Sequence, residues 1–263
     1  MNNETECLLS ELVFGARSIL TDNFVGGYAH GSLATGDFDQ YSDVDFLILT
    51  RAELTEDQVN DLQTLHARIR GVGPRFSDKL EGSYFPITRI VDYANTANKL
   101  WYLQNGHGKL TPDSHDDTLV VRWVLRERGI AVDGPNPKTL MPPIPEDGLK
   151  LEVMSTLRAI PAFIIEEPKD ALHFWNRMFG QSFAVLTCCR ILHTVATGEV
   201  NSKKKAVEWA ETGVDPKWSG LIQRAWANRC GDFDRPADPV EYASTLAFYE
   251  WAGRDSMKAV NSD

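Results

Sequence analysis

The chain has only four cysteines in 263 residues. Cys188 and Cys189 are neighbours while Cys7 and Cys230 stand alone, so neither a disulfide framework nor a zinc spacing is available, and reduced structural thiols are expected. No apolar run approaches the roughly 18 residues needed to cross a bilayer. The first residues carry Glu4, Glu6 and Glu11 where a secretory leader would be basic, so a cytoplasmic protein free of the membrane is expected. Positive charge is scarce too: 27 Lys+Arg against 37 Asp+Glu leave a net charge of -10, with most of the excess in the first 150 residues. That balance argues against a nucleic-acid backbone as the main partner, because phosphate contacts need a basic footprint. A cationic or small neutral ligand fits better. Nothing matches G-x-x-x-x-G-K-[ST], no dinucleotide fingerprint follows a strand, and there is neither an internal repeat nor a low-complexity segment.

What is present suffices for a sizeable core: 43% of the residues are hydrophobic, and the length suits one large domain or two small ones. Leu8 to Leu20 has helical spacing, and Val25 to His30 reads as a short strand entered through Gly26-Gly27. Val44 to Leu49 is almost continuously apolar, as expected of a strand buried on both faces, with acids at its start. A helix is expected over Thr55 to Ile69. A third strand, Lys79 to Ile90, sets Glu81, Ser83 and Phe85 on one face by alternation, and Pro86 suggests an edge or a bulge. Gln104 to Ser114 reads as a polar loop and Thr118 to Arg128 as a helix stopping at Gly129. The prolines from Pro135 to Pro145 end regular structure and place a domain boundary near residue 145. Beyond it the pattern is helical, with a kink at Pro161 and one long helix from Asp170 to Thr197 ended by Gly198. Both stripes of that helix, Phe179-Phe183-Leu186 and Met178-Val185-Leu192, are apolar, so it should lie at the centre of a bundle. The expected class is α+β, with a mixed-sheet domain over 1–145 and an all-α domain over 146–263.

The chemistry gathers in the first domain. Asp43 and Asp45, two residues apart on a strand, face the same way about 6.5 Å from each other. They could share one ion or clasp a pair roughly 4 Å apart, and oxygen ligands of this kind suit Mg²⁺. Alone, such an Asp-x-Asp is more often a turn and a cap. Its context differs, because Gly31-Ser32 follows a strand end where a strand-to-helix turn presents backbone amides and a hydroxyl to a phosphate. Gly36 permits the turn between the two strands and Ser42 adds a second hydroxyl. Glu81, on the next strand, could complete the metal cage or take a proton from an acceptor hydroxyl. Asp78 is its rival, on the opposite face by its odd separation. In the second half Lys203-Lys204-Lys205 reads either as a solvated helix start or as a clamp on departing phosphate.

Tyr28-Ala29-His30-Gly31-Ser32 through Ser42-Asp43-Val44-Asp45 resembles the nucleotidyltransferase superfamily that includes DNA polymerase beta. More narrowly the chain resembles aminoglycoside adenylyltransferases of the streptomycin/spectinomycin class, through Cys189-Arg190-Ile191-Leu192-His193-Thr194, Thr197-Gly198-Glu199-Val200, Ser202-Lys203 and Trp209-Ala210. The resemblance implies Mg²⁺-dependent transfer of AMP from ATP to a hydroxyl of an aminoglycoside-type antibiotic by a monomer. It makes Asp43 and Asp45 metal ligands, Glu81 the base or a third ligand, Gly31, Ser32 and Ser42 nucleotide contacts, and Lys203 a triphosphate contact. It sets Trp101 against the drug. Gln181 stands where characterised members carry an acid, and a neutral amide cannot pair with an ammonium group; Glu166, Glu167 and Asp170 lie near in sequence and could substitute. Arg190 and His193 are expected to be buried polar groups with structural partners. Another small-molecule or protein acceptor, or a non-catalytic nucleotide-binding regulator, are the alternatives.

Overall fold

The computed structural model describes residues 3–72, 76–105, 108–166, 173–229 and 235–260. Cys230 and the acidic stretch Glu167 to Asp170 lie outside the described residues. The chain divides into two compact units, Met1–Pro145 and Glu146–Asp263, and the class is α+β.

The first unit runs α1 (Asn3–Leu20), β1 (Phe24–Ala29), α2 (Gly31–Thr35), β2 (Val44–Thr50), α3 (Glu56–Val72), β3 (Leu80–Pro86), α4 (Ile87–Ile90), β4 (Leu100–Leu103), β5 (Leu110–Asp113), α5 (Leu119–Arg128), β6 (Ile130–Asp133) and α6 (Pro137–Leu140). Its six strands are ordered β5-β4-β3-β2-β1-β6. β2 and β3 pair in parallel, while β1–β2, β1–β6, β3–β4 and β4–β5 are antiparallel. The sheet is thus mixed, and α3 supplies the crossover that a parallel pair requires.

Alternation along β2 buries both faces, as its composition predicts. Phe46 and Ile48 join Leu8, Leu12, Leu62 and Tyr84 on the side covered by α1 and α3. Leu47 and Leu49 join Tyr28, Phe85, Leu125 and Met141 on the other. Each such side chain contributes about 1.5–3 kcal/mol on leaving water, so the sheet is anchored from both sides and its strand ends are free to carry polar groups. Thr118 caps α5 by accepting from Val121 N at 3.1 Å, and Gly129 follows its end.

Several expectations are corrected. The third strand ends at Pro86, not Ile90, and lies between β2 and β4 without a bulge, but its pairing with β4 covers only Gly82 to Tyr84, so Pro86 stands where that side of the strand has no partner. Pro86 costs no ladder bond because the chain turns into α4 at that residue. The stretch read as a polar loop contains β5, and Trp101 lies in β4. Both strands are only four residues long, too short to show a period.

The second unit comprises α7 (Glu146–Glu166), α8 (Met178–Thr197), α9 (Lys203–Gly213), α10 (Ser219–Asn228) and α11 (Pro239–Val260). Pro161 lies inside α7. α8 packs against the other four helices and is buried nearly all round, as its two apolar stripes require. It begins at Met178 and not at Asp170: Phe174–Asn176 form a 3₁₀ turn, and extended Arg177 bridges to Pro236. Gly198 ends α8 at φ 70°, a conformation that glycine adopts without strain.

Candidate active site

Strand register assembles the acidic residues of the first unit. Parallel pairing sets Asp45 of β2 beside Glu81 of β3. On the other flank β1 ends with Ala29 opposite Phe46, and the following residue, His30, donates its N–H to the Asp45 carbonyl at 3.1 Å. His30, Asp45 and Glu81 therefore form one row across three strands at the edge of the sheet face that also carries Leu47 and Ser83. Asp43 precedes β2 by one residue and its charge reaches Glu81, on which it acts electrostatically. Asp78, in the turn before β3, is exposed and outside this row.

Gly31 makes the row possible. Its φ is 57°, and a Cβ built on it would fall 1.8 Å from Asp45 Oδ2. The carboxylate of Asp45 is thus packed against a position that only glycine can occupy. Beside it, Ser32 Oγ is buried with no hydrogen-bond partner, an unsatisfied polar atom of the kind a ligand completes. Ser42 departs from expectation. It is buried, its hydroxyl donates to Asp39 Oδ1 and accepts from Asp39 N, both at 3.1 Å, and it therefore holds the turn before β2. A hydroxyl already engaged twice is not open to a phosphate.

Around Glu81 stands a group of side chains that sequence reading did not single out. Tyr102 of β4 donates its phenol to Glu81 Oε1. His115 Nε2 is 3.6 Å from the same oxygen, and its ring lies against Tyr102 at 5.1 Å between centroids. With its amide nitrogen turned toward the acids, Asn105 donates to Glu81 Oε2 at 2.8 Å and to Asp43 Oδ1 at 3.2 Å. Below them Asp116, buried, accepts from Ser83 Oγ at 2.7 Å. Asp117 pairs with Arg122 at 2.6 Å, both side chains fully buried, and also accepts from Asn98 N. This pair fixes the segment that delivers His115 and Asp116.

The electrostatics follow from burial. Burial raises the Glu81 carboxyl above the ordinary carboxylate range; the Tyr102 bond opposes this, and Asp43 reinforces it. Burial likewise pushes the His30 imidazole down and keeps it neutral. The Tyr102 phenol is pushed well above its ordinary value by burial and by its bond to Glu81, so it remains a donor. A carboxylate that holds its proton more readily than usual is a better base. Among the described residues, no three His, Cys, Asp or Glu side chains are already drawn together as a metal cage.

Residues 24–96 match the model of a nucleotidyltransferase domain, and residues 139–249 match that of the aminoglycoside adenylyltransferase C-terminal domain. The chain thus carries a nucleotidyltransferase domain followed by an aminoglycoside adenylyltransferase C-terminal domain. It is 23% identical to the spectinomycin 9-adenylyltransferase of Campylobacter jejuni over 91% of each chain. With the aminoglycoside (3'') (9) adenylyltransferase of Shigella flexneri it shares 24% identity, over 94% of this chain and 93% of that one. Its fold matches a crystal structure of spectinomycin adenyltransferase from Enterococcus faecialis with ATP and spectinomycin: TM-score 0.70, 17% identity, 95% of this chain and 98% of that one.

The remaining candidates stand as follows. Lys203 opens α9 behind the cap Ser202, which accepts from Lys205 N at 3.1 Å, and its ammonium lies 5.3 Å from the Phe183 ring centroid. Gln181 is 2% exposed. Its amide nitrogen donates to the Trp175 carbonyl and its Oε1 is buried without a partner, so it faces the interior of the helical unit. Arg190 donates to the Asn201 carbonyl at 3.1 Å, and His193 Nδ1 lies 3.2 Å from the Glu199 carbonyl oxygen; both have the structural partners expected of them. Trp101 pairs with Tyr84 and packs with the α1/α3 side of the sheet, so in β4 it is Tyr102 that turns toward Glu81. Alternation carries Trp101 to the face opposite the acids.

Gly31→Ala should lower the rate of adenylyl transfer by at least about 10²-fold, the scale attached to misplacing a catalytic group by an ångström. A methyl group there must displace Asp45. A rate within threefold of wild type, measured as pyrophosphate release, would show that Asp45 need not keep its position.

Proposed function

We propose that this protein moves AMP from ATP to a hydroxyl of an aminoglycoside-type antibiotic of the spectinomycin or streptomycin class, releasing pyrophosphate, as a cytoplasmic monomer with no nucleic-acid partner. Residues 1–145 act as the catalytic domain and 146–263 as the acceptor-binding domain. The observation that carries this reading is the row of Asp45 and Glu81 with Asp43 beside it, on a sheet edge shaped by Gly31.

The residues suit a magnesium ion. Asp43 and Asp45 supply oxygen donors, and the amide N–H of Asn105 and the phenolic O–H of Tyr102 lie against Asp43 and Glu81, where positive charge is wanted. Asp43 and Asp45 would hold the ion, which neutralises the triphosphate. Ser32 Oγ donates to a phosphate oxygen. The acceptor oxygen attacks the α-phosphorus, the bond to the bridging oxygen of the β-phosphate breaks, and the hydroxyl proton passes to Glu81. In this reading Ser42 holds the turn that presents Asp43, and Trp101 packs on the other face of the sheet.

Incubation with labelled ATP, Mg²⁺ and streptomycin or spectinomycin should give adenylylated drug and one pyrophosphate per transfer. Neither drug accepting label would end the antibiotic assignment. A second acceptor class is favoured by Gln181, which is neutral and inward-facing. Pyrophosphate release with cell extract but with neither drug would establish it.

A further inference from the structure

Asn105 sits in the turn that leaves β4, with φ 41° and an exposed side chain. Its carboxamide spans two acids on different elements, Asp43 ahead of β2 and Glu81 on β3. The opposite orientation would set a carbonyl oxygen against two carboxylates, so repulsion selects the one in which both contacts are N–H donors. Meanwhile the other Glu81 oxygen accepts from Tyr102.

We infer that Asn105 is a placeholder for the divalent cation: a positioning residue that keeps Asp43 and Glu81 facing one gap while no ion is bound, and that an arriving ion displaces. This rests on the reading of Asp43 as a metal ligand. Two like charges facing one another separate unless something between them is positive. The carboxamide nitrogen offers two hydrogens with partial positive charge and requires no counter-ion. A divalent cation held at Asp43 interacts far more strongly with that carboxylate than a carboxamide does, so it wins the competition, but it must first break the charge-assisted bond from Asn105. Asn105 therefore preserves the spacing of the acids at the expense of ion affinity. Tyr102, which holds only Glu81, need not move.

The test is calorimetric titration of Mn²⁺ into the full chain without nucleotide, comparing wild type with Asn105→Gly, which keeps the positive φ, and Asn105→Ser, which removes the bridge. Removing the competitor should tighten Mn²⁺ binding by on the order of three- to tenfold in a folded variant. Unchanged or weaker binding in both variants would overturn the inference, including the case where only the melting temperature moves. Asp43→Asn separates this from the reading beneath it. If that variant binds Mn²⁺ as wild type does, Asp43 is no ligand and the metal assignment fails; if it loses the ion while Asn105→Gly binds no tighter, only the placeholder fails.

Discussion

Asp45→Asn should reduce Mg²⁺-dependent adenylyl transfer by at least about 10³-fold, corresponding to the several kcal/mol that a correctly held metal contributes to a phosphoryl transition state. The side chain keeps its shape and loses only its charge. Asp45 is half-buried at the start of β2, beyond the apolar stretch from Phe46 to Leu49, so the strand keeps its pairing with β1 and β3 and the fold survives. Asp43→Asn should behave alike, because Asp43 lies one residue ahead of the strand. Circular dichroism and a melting curve close to wild type, together with lost pyrophosphate release, are the expected pair of results. Either variant turning over within tenfold of wild type would mark the Asp-x-Asp as a turn and a cap, and the chemistry would have to be sought elsewhere.

How far the site could be read in advance follows from the range of the interactions involved. Asp43 and Asp45 were legible because they flank the first residue of a strand whose apolar run announces it, and Gly31-Ser32 because a turn after a strand has a local signature. Glu81 was legible by alternation along β3. That it lies beside Asp45 depends on the parallel register, which no local pattern encodes. Tyr102, Asn105, His115 and Asp116 were missed for the same reason. They reach Glu81 and its surroundings only because β4 folds back antiparallel on β3 and β5 on β4, and these strands of four residues carry no readable period. Trp101 shows the cost of that gap. Read as part of a loop it could point anywhere, whereas in a strand its direction is fixed opposite to that of Tyr102. In the helical unit the two apolar stripes of α8 revealed its central position, yet its start was misplaced because Phe174 to Arg177 contains neither glycine nor proline to mark a break and differs from the helix in backbone conformation. The buried pair of Asp117 and Arg122 was likewise invisible, since a charge inside the core carries no mark in sequence.

Glu81→Gln should lower kcat by on the order of 10² to 10⁴, the usual share of general-base catalysis, while ATP and Mg²⁺ bind within a few-fold of wild type. The amide keeps the volume and still accepts from Tyr102 at its oxygen, while its nitrogen gives up only the bond from Asn105. It cannot take a proton. Burial raises the Glu81 carboxyl above the ordinary range, which fixes the sign of the pH dependence: a base must be ionised, so kcat/KM falls as pH drops through this raised value. The acid limb of the wild-type profile therefore lies higher than that of an ordinary carboxylate, and it should vanish from the residual activity of the variant. Were Glu81 a metal ligand, the outcome would differ, because replacing a carboxylate that holds a cation weakens ion, nucleotide and rate together. Calorimetric titration of Glu81→Gln with Mg²⁺ and ATP separates the two. A loss of nucleotide affinity comparable to the loss of rate would remove Glu81 from the role of base and make it the third ligand beside Asp43 and Asp45.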